Sequence, residues 1–182
     1  MSWRYLPNAL TIFRLCLVPF IISALFTHQF KMTLILFGIA SLTDGLDGFL
    51  ARRFGWASIL GAILDPVSDL CLLVSASVVL WLIDLFPLWC LIVILVRDGV
   101  ILVGALLFRV LVGSLEIDPL RSGKACAFSQ MLLIMATILS AMGFSQIDFS
   151  MIFLQWATLF LCLLSGILYI FVWSKKWIDL KE

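Results

Sequence analysis

Residues 44–69 read DGLDGFLARRFGWASILGAILDPVSD. Four aspartates and two arginines stand here in a chain that is oily on both sides of them. Hydrophobic residues fill 64% of the 182 positions and charged residues only 13%, against about 45–50% and 25% in a soluble domain. A soluble fold of this size has no interior large enough for so much apolar surface. The sequence therefore reads as an integral membrane protein, organised as a single domain over residues 1–182. Its formal net charge of +1 gives no reason to expect a nucleic-acid partner.

A spanning helix needs about 20 apolar residues. Six such runs emerge, at about 9–27, 32–54, 57–82, 86–109, 122–143 and 149–173. The breaks between them, THQFK, RRFGW, DLFP, GSLEIDPLRSGK and GFSQID, carry turn and charge signals. Lipid offers no water to exposed backbone, so an all-α bundle of six transmembrane helices is expected. The first run lacks a small-residue cleavage site and reads as a retained helix, not a signal peptide.

The basic residues orient the bundle. With the N-terminus in the cytoplasm, Arg4, Arg52, Arg53, Arg109, Arg121, Lys124, Lys175, Lys176 and Lys181 fall inside and only Lys31 outside. Arg14 and Arg97 lie within spans. That is a positive-inside distribution with both termini cytoplasmic.

The depth of the acidic stretch follows. The second helix runs inward and the third back out, turning near Gly55. At 1.5 Å per residue, Asp47 and Asp65 lie roughly 12–15 Å from the turn, with Asp44 and Asp69 one turn deeper. Asp44 and Asp47 are spaced i,i+3 and Asp65 and Asp69 i,i+4, so each pair shares one helix face. Pro66 is expected to weaken the helix between the second pair. Gly45, Gly48, Ala51, Gly61 and Ala62 leave room for a close ligand or helix.

Insertion scales put one central aspartate at about 2.5–3.5 kcal/mol, so four cost about 10–14 kcal/mol before mutual repulsion. Carboxylate oxygens are what Mg²⁺ or Mn²⁺ prefers, and two divalent cations balance four charges. Two such ions between two helices form the usual clamp for displacement at phosphorus. A lone intramembrane aspartate is as well read as an interhelical hydrogen bond or part of an ion path. Four at these spacings, with interleaved glycines and Arg52 one turn beyond, fit that reading poorly.

These residues carry a resemblance. Asp44, Asp47, Gly48, Ala51, Arg52, Gly61, Asp65 and Asp69 spell D-x2-D-G-x2-A-R-x8-G-x3-D-x3-D without a departure. The stretch resembles the signature of the CDP-alcohol phosphatidyltransferases, membrane enzymes of phospholipid synthesis. The resemblance implies a six-helix homodimer; a bacterial inner membrane is the expected location, and the basic residues put the active site on the cytoplasmic side. It assigns Asp44, Asp47, Asp65 and Asp69 to two metal ions, Mg²⁺ or Mn²⁺, and makes Asp69 also the general base. Gly48, Arg52 and Ser58 match positions that hold the CDP moiety of CDP-diacylglycerol, with Gly61 in the same signature. The implied reaction moves a phosphatidyl group to a glycerol-type alcohol and releases CMP.

Other polar residues stay open between two roles. Asn8 and Thr11, in LPNALTIFR, either cap the first helix after Pro7 or, as the resemblance implies, contact the nucleotide. Arg14 reads as a snorkelling or site-facing charge. Arg97 and Asp98 either neutralise each other, or Arg97 joins Arg121 and Lys124 in a basic site for an anionic acceptor. That basic site suits glycerol 3-phosphate, giving phosphatidylglycerophosphate. Arg97, Asp98, Gly104, Ala105, Pro119, Lys124 and Gln130 also resemble the CMP-forming cardiolipin synthases, whose acceptor is phosphatidylglycerol. The glycerophosphate enzymes more often have Arg-Glu where this chain has Arg97-Asp98.

Two other classes share the carboxylate chemistry. Intramembrane prenyltransferases use aspartate pairs with magnesium, and a cation transporter lines its path with carboxylates; the second leaves Arg52 and Ser58 without a role. Cys16, Cys71, Cys90, Cys126 and Cys162 form no CxxC and read as small buried hydrophobes. His28 belongs on the outer surface. Trp3, Trp56, Trp173 and Trp177 sit near span ends as interface anchors, and the tail WSKKWIDLKE reads as an interfacial cap on anionic lipid.

Overall fold

Apolar runs separated by short polar breaks fold as six helices: α1 (Leu6–Phe26), α2 (Phe30–Phe54), α3 (Ile59–Leu82), α4 (Leu88–Val112), α5 (Arg121–Ala141) and α6 (Asp148–Asp179). The computed structural model describes residues 6–54, 59–112, 121–144 and 148–179, apart from the side chains at 6–7, 47–52, 59–63, 65, 105–112, 121, 148–149 and 175–179. No strand occurs among the described residues. The helices fall within a few residues of the six expected apolar runs, with two differences. Helix α6 continues to Asp179, so the tail expected as a cap begins as helix. Helix α3 passes through Pro66 without a break, as α1 does through Pro19. In a membrane, neighbouring side chains and local adjustment re-satisfy the one carbonyl a proline frees, so the helix survives it.

Three turns share one device. Gln29 donates to the carbonyl of Ala24, Leu85 to that of Leu80 and Phe144 to that of Leu139, each bond spanning five residues back. This helix-closing bond requires a left-handed residue just before the donor. His28 (φ 54°), Asp84 (φ 59°) and Gly143 (φ 94°) occupy those positions. His28 is exposed there, as expected.

The described helices Asn8–Phe26, Ser122–Ala141 and Ser150–Ser174 are long and apolar enough to cross a membrane, and Pro66–Leu82 is a shorter apolar helix. Burial follows the membrane pattern. Phe153 is 79% exposed, Leu42 70% and Phe171 65%, while Arg14, Thr33, Ser77 and Ser165 are wholly buried. Water would reverse that arrangement; hydrocarbon permits it, because it solvates phenyl rings and rejects hydroxyls. Two of these buried hydroxyls are matched one turn back along the chain: Ser77 donates to the carbonyl of Leu73 at 2.8 Å and Thr33 to that of Gln29 at 3.1 Å. The five cysteines are free, and Cys90, Cys126 and Cys162 are buried as expected. Cys16 is exposed and Cys71 half-buried, which costs little where the surroundings are lipid.

The chain divides into two compact units, Met1–Phe86 with Thr137–Phe144, and Pro87–Ala136 with Ser145–Glu182. In the first, α1 packs against both α2 and α3. Ile21 and Leu25 of α1, Phe37 and Ala40 of α2, and Ala76 and Leu80 of α3 are buried there. In the second, α4 packs on α6. Helix α5 is tied to α6 by polar contacts: Ser129 Oγ lies 2.6 Å from Thr158 Oγ1, and Cys126 Sγ 3.0 Å from Cys162 Sγ.

Trp173 is not a free interface anchor. Its ring stacks edge-on with Tyr169 at a centroid distance of 5.5 Å, and a Cβ on Gly104 would overlap its six-membered ring. Replacing a mid-helix glycine by alanine normally stabilises by about 0.5–1 kcal/mol. At Gly104 the sign reverses: Gly104→Ala lowers stability by about 1–3 kcal/mol through overpacking. Thermal unfolding in detergent checks this, and pairing the change with Trp173→Leu restores most of the loss.

Candidate active site

The site is built on one buried cation. Arg14 lies midway along α1, and none of its side chain is exposed. Its Nη1 is 2.9 Å from Asp44 Oδ1 on α2 and forms an ion pair with Asp69 Oδ1 on α3. The same nitrogen donates to Ser68 Oγ at 3.1 Å. Three helices of the first unit thus converge on a single atom.

Local structure explains the convergence. Asn8, Thr11 and Arg14 follow one another at three-residue spacing, which keeps them on one side of α1. Thr11 is buried and Asn8 half-buried, so that side faces inward. Thr43, one residue before Asp44, is buried and turned back to the carbonyl of Ala40 at 2.8 Å. A residue next to a buried position on a helix points roughly 100° away from it, which brings Asp44 to the margin of the packed face. Ser68 and Asp69 stand in the same relation on α3, Ser68 being buried and Asp69 half-exposed.

The exposures are the informative quantity. Asp44 and Asp69 keep 47% and 42% of their side chains accessible while the guanidinium between them has 0%. Each carboxylate pairs with Arg14 and remains about half exposed. Carboxylates that share one cationic nitrogen and remain accessible suit a hard divalent ion or a polyanion carried by one. The donors are of the right kind for Mg²⁺ or Mn²⁺, and Nη1 marks the place where a positive charge already satisfies both. Among the described residues no group of three or more potential metal ligands gathers. The side chains of Asp47 and Asp65 lie outside them.

So do the side chains of Arg52 and Arg121, the surroundings of Gly48 and Gly61, and the whole of Ser58. Of the residues expected to bind nucleotide, the described ones are Asn8 and Thr11, both on the face of α1 that carries Arg14. Ser68 was not legible from sequence, because a serine inside the x3 of a motif looks like filler.

The expected acceptor residues belong to the second unit. Arg97 on α4 is largely used up: Nη1 pairs with Asp98 Oδ1 at 2.6 Å, and Nη2 donates to Ser165 Oγ at 3.0 Å and to the carbonyl of Gly123 at 3.4 Å. Of the two roles left open for Arg97 and Asp98, this geometry realises mutual neutralisation. It also makes Arg97 a strut across α4, α5 and α6, which no spacing in the sequence announces. Lys124, one residue after Gly123, is exposed. A cavity of about 390 Å³ between α4 and α6 is walled by apolar residues such as Ile92, Val96 and Ile167, with Arg97 on its rim. It suits hydrocarbon better than a polar substrate.

The family profile for CDP-alcohol phosphatidyltransferases matches residues 4–168. The chain belongs to the CDP-alcohol phosphatidyltransferase family. Membership makes it a membrane transferase of phospholipid synthesis, and takes the place of the prenyltransferase and cation-transporter readings that carboxylates alone allow. The CDP-diacylglycerol--glycerol-3-phosphate 3-phosphatidyltransferase of Bacillus subtilis is 32% identical over 97% of both chains. A probable phosphatidylglycerophosphate synthase of Mycobacterium tuberculosis is 30% identical over 91% of this chain and 79% of its own. A probable cardiolipin synthase (CMP-forming) of Drosophila melanogaster is 40% identical, over 55% of this chain and 31% of its own.

Breaking the Arg97–Asp98 pair from one side leaves a charge without its partner. Asp98→Asn therefore lowers stability by about 3–5 kcal/mol, and replacing both residues by apolar ones of similar volume costs less than either single change. A double-mutant cycle in thermal unfolding measures both.

Proposed function

We propose that this phosphatidyltransferase uses CDP-diacylglycerol and glycerol 3-phosphate to make phosphatidylglycerophosphate and CMP. The observation that carries the reading is the meeting of Asp44 and Asp69, from two helices, on one cationic atom while both carboxylates stay about half exposed. The relatives matched over most of their own length bear names for this reaction, which supports glycerol 3-phosphate as acceptor.

In this reading Asp44, Asp47, Asp65 and Asp69 hold two divalent cations, Mg²⁺ or Mn²⁺. Bound there, such ions neutralise the diphosphate and the departing CMP. The protein's own residues do the rest. Gly48 lets the nucleotide approach the backbone, and Arg52 offers the diphosphate a planar fork of donors. Ser58, Gly61, Asn8 and Thr11 complete the CDP pocket. Arg121 and Lys124, the expected acceptor residues besides Arg97, draw in the acceptor phosphate. Asp69 takes the proton of the acceptor hydroxyl as its oxygen attacks the lipid-side phosphorus. The new P–O bond forms while the bond to CMP breaks, and CMP leaves with that electron pair. Holding the reactants in line supplies much of the acceleration.

The working protein is one domain of six spans with both termini cytoplasmic. It is a homodimer in a bacterial cytoplasmic membrane, its site opening to the cytoplasm; the resemblance and the basic inner loops support this.

One observation favours a second reading. Arg97 is engaged by Asp98, Ser165 and Gly123, which leaves less positive charge for a phosphomonoester. Phosphatidylglycerol, a less highly charged acceptor, would then give cardiolipin. Purified protein supplied with CDP-diacylglycerol and each acceptor in turn separates the two. The proposal expects CMP release driven by glycerol 3-phosphate; release driven only by phosphatidylglycerol replaces it with the second reading. Asp69→Asn lowers turnover at least about 10²-fold, the smaller end of what a positioned base contributes.

A further inference from the structure

Arg14 is an unexpected neighbour for cation ligands. It sits on an apolar helix, is wholly buried, and reaches Asp44 at 2.9 Å, Asp69 and Ser68 through the same Nη1. Its partners in the pairs are 30 and 55 residues away in sequence (44 − 14 and 69 − 14), so the contacts are products of the fold. A fixed positive charge at this point acts in two opposite ways. Without a bound ion, it relieves the repulsion between two carboxylates and holds α2 and α3 to α1. With an ion present, it repels that ion and competes for the same oxygens, and in a partly desolvated site like-charge repulsion over a few ångströms is large.

We infer that Arg14 is a tethered counter-cation: a positioning residue that keeps Asp44 and Asp69 together when no divalent ion is bound and limits how tightly the ion is held. The inference rests on the reading of these aspartates as cation ligands. Asp44, Asp69 and Arg14 together carry a net charge of −1 (−2 + 1), against −2 without the arginine. The weaker hold leaves room for a second source of attraction, the negative diphosphate of the nucleotide. Ion and nucleotide therefore load the site together more readily than the ion does alone.

The test uses the full chain in lipid nanodiscs, with Mn²⁺ titrations followed by the paramagnetic resonance of the free ion. Arg14→Gln is expected to bind Mn²⁺ about tenfold more tightly, while its unfolding temperature without metal falls. Arg14→Lys, which keeps the charge, stays near the affinity of the unsubstituted protein. A merely structural arginine predicts the opposite sign, since loosening the site weakens binding. Unchanged or weaker Mn²⁺ binding in Arg14→Gln overturns the inference, provided the unsubstituted protein binds; so does equal tightening in Arg14→Lys. Absence of saturable Mn²⁺ binding in the unsubstituted protein overturns the cation reading, and this inference with it. Should Arg14→Gln fail to fold, arginine-selective ¹⁵N resonances of the unsubstituted protein answer the question. Saturating Mg²⁺ shifts the Arg14 side-chain signal, identified by its absence in Arg14→Lys, whereas a signal indifferent to Mg²⁺ contradicts the inference.

Discussion

Two carboxylates from different helices share one buried guanidinium nitrogen, and the rest of the first unit is arranged around that fact. Aspartates are expensive at membrane depth, so a chain that keeps them must supply compensating charge. Arg14 is part of that compensation, delivered on the first helix and shielded from solvent by its neighbours. Because it reaches both α2 and α3, the electrostatic requirement is also a packing requirement. Helix α1 must lie against both, and it does.

The second unit solves a similar problem by closure. Arg97 and Asp98 are adjacent in sequence and neutralise each other, and Nη2 of the guanidinium donates to Ser165 and Gly123, while Nε is buried without a partner. Asp44 and Asp69 instead remain about half exposed after pairing. The contrast separates a structural ion pair from a site: the first is nearly closed to its surroundings, and the second stays accessible.

Much of this was legible in the sequence, for physical reasons that also mark where legibility ends. Apolar runs broken by THQFK, DLFP and GFSQID set the helix positions, because lipid forces every turn into a polar segment. The i,i+3 and i,i+4 spacing of the aspartates placed each pair on one face. The partnership of Arg14 with Asp44 and Asp69 was not legible beyond a site-facing charge, since nothing local specifies contacts across 30 and 55 residues (44 − 14 and 69 − 14). The roles of Ser68 and Ser165 were hidden for the same reason. Pro66 was expected to weaken α3, a rule from water that overlooks how a membrane bundle supports its helices. Trp173 looked like an interface anchor by position, and only packing against Gly104 shows otherwise.

The central claim is that the acidic hairpin holds a divalent ion between α2 and α3. Anomalous scattering from Mn²⁺ in crystals of the protein tests it most directly. The account predicts a peak within coordination distance of both Asp44 and Asp69 carboxylates. Peaks only elsewhere, with these two side chains turned to separate neighbours, contradict it.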